Sequence, residues 1–293
     1  MNNFPPLDTW FTIRVNVETP YPYTRYDLCL IPEGDLEDFA WHLSLLIARL
    51  RLNTNEYVVW EKYWHEGVPI PDEWIPRFQN RFWRGFISNK ATEEAGGKIT
   101  ADETALQGHI GELLLYIIQH QLHQQRIDAV PRKPKDYSKD SGIDCLEICG
   151  DVDTPTSLHY IVWESKGITG NTIGNYSRKI YNQHQFETPK AFGEAVDQLA
   201  DLHEDDPVLV VFISDMIDDF YLKPPSNKKC FGGSVSYSSS TFPGPRVFRQ
   251  FHDEFRDELA EYPQCRQIRL CALGNMKSIC DTIWSLIWNK LLP

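Results

Sequence analysis

No stretch of the chain approaches the roughly 20 consecutive apolar residues that a membrane-crossing helix needs. Its start, MNNFPPLDTW, carries no basic end followed by an apolar run, so no secretory signal is expected. These two absences together lead us to expect a soluble, cytoplasmic protein. The seven cysteines (Cys29, Cys145, Cys149, Cys230, Cys265, Cys271 and Cys280) include no Cys-x-x-Cys pair and no zinc-like spacing. Most lie in apolar runs, as free buried thiols do. Gly232-Gly233-Ser234 lacks the lysine and the strand–helix setting of a phosphate-binding loop, and there is no Gly-x-Ser-x-Gly elbow. Positive charge is also short, with 29 Lys and Arg against 41 Asp and Glu, a net charge of −12. A protein that holds nucleic acid alone draws much of its affinity from phosphate neutralisation. Any such contact here needs a local basic patch, or a partner that delivers the polynucleotide.

Apolar and aromatic residues are plentiful. The chain of 293 residues is 42% hydrophobic and 24% charged, enough to bury a sizeable core in one large domain or two smaller ones. It has nine Trp, five of them between Trp41 and Trp83, which points to a core or a partner surface.

Phe11 to Val17 alternates apolar and polar and reads as a strand, with a second at Tyr26–Ile31. Asp35 is placed to cap a helix to about Leu52, in which Leu36, Phe39, Leu43, Leu46, Ile47 and Leu50 recur at helical spacing. Glu56–Tyr63 reads as a strand and Pro71–Phe86 as a helix, while the polar stretch Asn89–Thr104, with Gly96-Gly97, reads as a linker. A helix to about Gln125 follows. Further on, a Pro189 helix, an apolar strand Pro207–Ser214, a Gly/Ser/Pro-rich loop Lys223–Pro245, a helix from Arg246, a strand near Ile268–Ala272 and a final helix from Ser278 are expected.

The chemistry concentrates in Ser141–Gly167, SGIDCLEICGDVDTPTSLHYIVWESKG. Two strand-like runs, Ile143–Ile148 and Leu158–Trp163, flank a polar loop. Residues two apart on a strand share a face, so Glu164 and Lys166 project together. If the runs pair as a hairpin, Asp144 at the start of one meets Glu164 at the end of the other. Two carboxylates and an ammonium at one sheet edge are what a divalent ion and an activated water require.

Gly-x-Asp on one strand and Glu-x-Lys at the end of the next resemble the PD-(D/E)xK nuclease superfamily, over roughly Gln107 to Leu273. Ile143 stands where the family's proline would be. The resemblance implies an α/β fold: a restriction-endonuclease-like core, with a central mixed β-sheet flanked by helices, over residues 101–293. An N-terminal α+β region over residues 1–100 would dock a partner. It implies metal ligation by Asp144, Glu164 and the Ser165 carbonyl, completed by Glu112 from the preceding helix, and water activation by Lys166. The ion would be Mg2+, with Mn2+ as a possible substitute, and the reaction the hydrolysis of DNA phosphodiesters. Lys133, Lys135 and Lys139 of the basic loop before the hairpin, Arg178 and Lys179 after it, and Lys190 and Gln198 of the next helix are weaker candidates for nucleic-acid contact. The layout is also similar to the nuclease subunits of Hachiman-type antiphage defence systems, which implies a helicase partner and no membrane.

The alternatives belong to other classes. One is a catalytically silent regulatory protein that keeps the nuclease fold. Another is a carbohydrate-active enzyme with paired acids, which leaves Lys166 without a role. The His120/His123 pair and Asp215, Asp218 and Asp219 read as polar helix surface and an acidic helix start.

Overall fold

A computed structural model describes residues 4–17, 20–29, 34–86, 103–122, 129–130, 143–168, 179–180, 189–202, 204–221, 228–238, 244–254 and 266–291. The short helix α1 (Leu7–Trp10) leads into the antiparallel strands β1 (Phe11–Asn16) and β2 (Tyr23–Leu28). Helices α2 (Gly34–Arg51), α3 (Thr54–Glu66), α4 (Ile75–Phe86) and α5 (Glu103–Leu122) follow. Then come β3 (Ala129–Val130), β4 (Cys145–Asp151), β5 (Thr154–Ile168), α6 (Pro189–Leu202), α7 (Pro207–Tyr221) and β6 (Lys229–Tyr237). A 3-10 turn at Pro245–Phe248, α8 (Arg249–Glu254), β7 (Arg266–Ala272), α9 (Met276–Ile287) and a 3-10 turn at Asn289–Leu291 complete the described chain.

The strands form one mixed sheet of seven in the order β1-β2-β7-β6-β5-β4-β3. Its centre is parallel, because β2/β7, β7/β6 and β6/β5 all run the same way. Both ends are antiparallel. The expected mixed sheet with flanking helices is therefore present. No helix among the described residues is long and apolar enough to cross a membrane.

Three expected elements take a different form. The run PVLVVFIS is a helix, not a strand. Asp206 caps it, its Oδ1 accepting the Val208 and Leu209 N–H groups at 2.9 and 3.1 Å, with Pro207 in the first turn. Leu209, Phe212, Ile213 and Met216 are buried at helical spacing, whereas Val210 and Val211 are exposed. Six hydrophobic residues in a row, Val208–Ile213, carry no period, so the cap decides. Asp215, Asp218 and Asp219 consequently lie inside α7, where Asp219 accepts a hydrogen bond from the Tyr160 hydroxyl at 3.0 Å.

Within the expected Lys223–Pro245 loop, KCFGGSVSY is a central strand with every residue buried. Its composition hides it, and its packing explains it. A Cβ on Gly232 would fall inside the Trp163 ring, and one on Gly233 would stand 2.9 Å from Ile268 Cδ1. The small residues let β5 and β7 place large side chains over β6.

Glu56–Tyr63 lies in helix α3, whose start is a capping box: Asn53 Oδ1 accepts the Glu56 N–H, and the Glu56 carboxylate accepts the Asn53 N–H.

One hydrophobic cluster joins α1–α5, β1, β2 and α9, and includes Phe39, Trp60, Phe78, Ile117 and Ile283. Another seats α6 and α7 against Leu146, Ile148, Tyr160 and Val162 of the hairpin. The third surrounds Trp163, Phe231 and Phe248 at the sheet centre.

Candidate active site

The hairpin register sets Cys145 opposite Trp163, so β4 ends its pairing one residue before Glu164. Strand β5 runs on to Ile168 with only β6 beside it, Glu164 opposite Gly233 and Lys166 opposite Val235. Asp144 fills the position a longer β4 would have taken. Its N–H donates to the Trp163 carbonyl at 3.1 Å, and its Oδ2 accepts the Ser165 N–H at 2.6 Å. A charge-assisted bond of this length holds the carboxylate against the Glu-Ser-Lys backbone. Lys166 Nζ stands 3.5 Å from Glu164 Oε2. Glu164 is only 2% exposed and Asp144 9%. The structure thus brings Asp144, Glu164, Ser165 and Lys166 together at one end of the sheet.

Alternation along β5 sends Glu164 and Lys166 to one side and Trp163, Ser165 and Gly167 to the other. Helix α5 covers the second side. Gly111 approaches so closely that a Cβ there would stand 3.0 Å from the Gly167 nitrogen and 3.2 Å from Ser165 Oγ. A Cβ on Gly167 would fall inside the Gln107 carbonyl. Glu112, half-buried, follows Gly111 on this helix. It therefore belongs to the element covering Ser165, and Glu164 and Lys166 leave the strand on the opposite side. Among the described residues, no three His, Cys, Asp or Glu side chains stand close enough to share a metal ion.

Of the expected nucleic-acid contacts, Lys179 is exposed and precedes Ile180, whose side chain reaches the Cβ position of Gly233, the partner of Glu164. Lys133, Lys135, Lys139 and Arg178 lie outside the described residues, and Lys190 and Gln198 belong to α6 with side chains outside the description.

Sequence reasoning did not reach the polar layer beneath α5. Glu147, 2% exposed, accepts from Gln119 Nε2 and Trp163 Nε1 at 2.7 Å each and from the Cys149 thiol at 3.4 Å. Arg269 approaches it at 3.9 Å and lies over the Trp163 ring at 4.1 Å. Burial, followed by the Glu147 charge, holds the Cys149 thiol far above its usual range, so it is no nucleophile. Ser165, Ser234 and Arg269 are neighbours across three parallel strands. Ser165 Oγ, Ser234 Oγ and Arg269 Nη1 are buried without a hydrogen-bond partner among the described residues. The signal for this layer was the isolated acid in LEICG, a charge in an otherwise apolar strand.

No protein-family model matches the chain, and no curated protein matches it.

Proposed function

We propose that the chain is a metal-dependent nuclease hydrolysing DNA phosphodiesters, with Asp144, Glu164 and Lys166 at its reacting centre. The observation that carries this reading is the Asp144 carboxylate bonded to the backbone of the Glu-x-Lys segment, with Lys166 beside Glu164. The donor set suits a hard divalent cation in kind: two carboxylates, with the Ser165 carbonyl as a third oxygen. When bound, Mg2+ or Mn2+ supplies polarisation of the phosphate and a more acidic bound water. Asp144 and Glu164 would hold it.

The protein's own part is orientation and charge. The Ser165 N–H fixes one oxygen of Asp144 and so orients the carboxylate. Glu164 holds the Lys166 side chain at the site, where its ammonium stabilises negative charge developing on the phosphoryl oxygens. Lys179, exposed on the same side of the sheet, adds a phosphate contact. The net charge of −12 supports delivery of the DNA by a partner, and the partner class we propose is a helicase in an antiphage complex.

The test is incubation of plasmid with purified protein and Mg2+, with EDTA as control. Glu164→Ala and Lys166→Ala each abolish cleavage, and the exposed-surface change Lys277→Ala leaves it intact. Cleavage that survives Glu164→Ala sinks the assignment. A folded protein that never cuts, with or without a co-purifying helicase, favours the silent regulatory reading. Glu112→Gln reports separately on the third carboxylate expected from the resemblance: unchanged cleavage removes it from the site.

A further inference from the structure

The C-terminal end of α3 borders a cavity of about 210 Å3, remote in sequence from the Asp144 site. Three segments line it. Trp60, Tyr63 and Trp64 come from α3, Val68 and Ile70 from the segment after it, and Lys290 from the last 3-10 turn. Gly67, at a φ of 64°, ends the helix in the left-handed conformation and turns the chain into the second wall.

We propose that this cavity is a binding site for a small aromatic carboxylate. The size suits one ring with a compact polar head, since an apolar cavity of about 150 Å3 takes a benzene. The walls are aromatic and aliphatic, and Lys290 is the one charged residue among the described lining residues. Its ammonium stands 4.8 Å from the Trp64 ring centroid, and burial holds its pKa below the usual lysine value. A cation facing an aromatic surface keeps its hydrogen-bonding capacity for an anion. The attraction of a helix C-terminus for positive charge accounts for the lysine being there. It does not account for Trp60, 1% exposed, whose indole N–H is buried without a hydrogen-bond partner among the described residues. A carboxylate is the group that accepts from the ammonium while its ring lies against the indoles. Aromatic cages take quaternary ammonium ligands, but a lysine in the wall repels them.

The experiment uses the full chain, nitrogen-labelled, with the indole N–H resonance of Trp60 assigned through Trp60→Phe. Benzoate, benzyl alcohol and benzylamine are titrated in turn. Benzoate shifts the Trp60 resonance and saturates with a Kd on the order of 1 mM or tighter, the range open to so small a ligand. Benzyl alcohol binds about tenfold more weakly, as expected when one charge-assisted contact is lost, and benzylamine does not bind. Lys290→Met, which keeps the alkyl stem on Trp64, removes the preference for benzoate over the alcohol. Thermal melting confirms that the variant folds. A Trp60 resonance that does not move, equal affinity for acid and alcohol, or a preference that survives Lys290→Met overturns the proposal. None of these outcomes depends on DNA cleavage.

Discussion

Two buried regions of this molecule solve the problem of an interior in opposite ways. Under α2–α4 the contacts are ring on ring: Trp60 meets Trp64, Phe78 and Phe82 with centroids 5.0–5.2 Å apart, and Phe39 meets Phe4, Trp10 and Phe11. Under α5 the sheet buries Glu147, Arg269, Gln119, Ser165 and Ser234, with Asp144 and Glu164 at its end. Burying apolar area stabilises directly, whereas a buried charge returns its desolvation cost only when every partner is in place. The difference teaches where each task is done. The aromatic region holds the chain together, and the polar region fixes the strand that carries the candidate site.

The largest effect should come where α5 touches that strand. Gly167→Ala puts a methyl group into the Gln107 carbonyl, backbone against backbone, and no folded protein is expected. Gly108→Ala on the same helix meets nothing within 4 Å and gains about 1 kcal/mol from helix propensity. Soluble yield and circular dichroism separate the two. A folded Gly167→Ala protein would break the picture of direct helix-to-strand contact.

Next come single truncations in each region. Trp60→Ala costs about 3–5 kcal/mol in urea unfolding through the cavity it leaves. Glu147→Ala costs a similar amount, about 3–5 kcal/mol, by leaving Arg269 uncompensated. The regions differ in the rescue. Glu147→Leu with Arg269→Met should recover most of the loss, and no second substitution does so for Trp60. A double variant as unstable as Glu147→Ala erases the distinction.

The pH dependence is smaller. Burial, with a further push from Arg51, holds His109 well below its usual pKa of 6.5, so it stays neutral in the folded state. The unfolded chain takes up this proton below about pH 6.5, and the folded chain does so only at much lower pH. The stability from a neutral His109 is therefore full above the unfolded value and is lost as pH falls beneath it, by at most about 1.4 kcal/mol per pH unit. Urea midpoints between pH 7.5 and 5 should fall more steeply for the native chain than for His109→Gln.

The smallest change in stability belongs to the site. Glu164→Gln keeps the shape of the side chain and removes a buried charge from the site, so the thermal midpoint should stay level or rise slightly while cleavage disappears. A melting temperature many degrees lower would assign Glu164 to the scaffold instead.

How much of this was legible depends on whether a local signal existed. The hairpin was, because alternation brackets a turn with Gly150 and Pro155, and it put Asp144 beside the Glu-x-Lys strand end. Helix α2 was, because its apolar period is clean. Helix α7 and strand β6 were not, and for complementary reasons. PVLVVFIS is apolar on every side, so its exposed valines look like core. KCFGGSVSY is small and polar on its face, so its burial appears only once Trp163 and Ile268 are seen lying over its glycines. The contact of Gly111 with Gly167 joins residues far apart in the chain, and no periodicity reports on it.

The position of β7 between β2 and β6 has a consequence for how the chain is made. On the ribosome β2 emerges early and β6 late, and each presents an open edge until Arg266–Ala272 arrives to bridge them. Pairing across so much intervening sequence makes folding slow. A product released before β7 would leave two parallel edges bare, the kind of surface that recruits other chains. Truncations just short of Arg266 should therefore collect in inclusion bodies, whereas chains that include β7 should not.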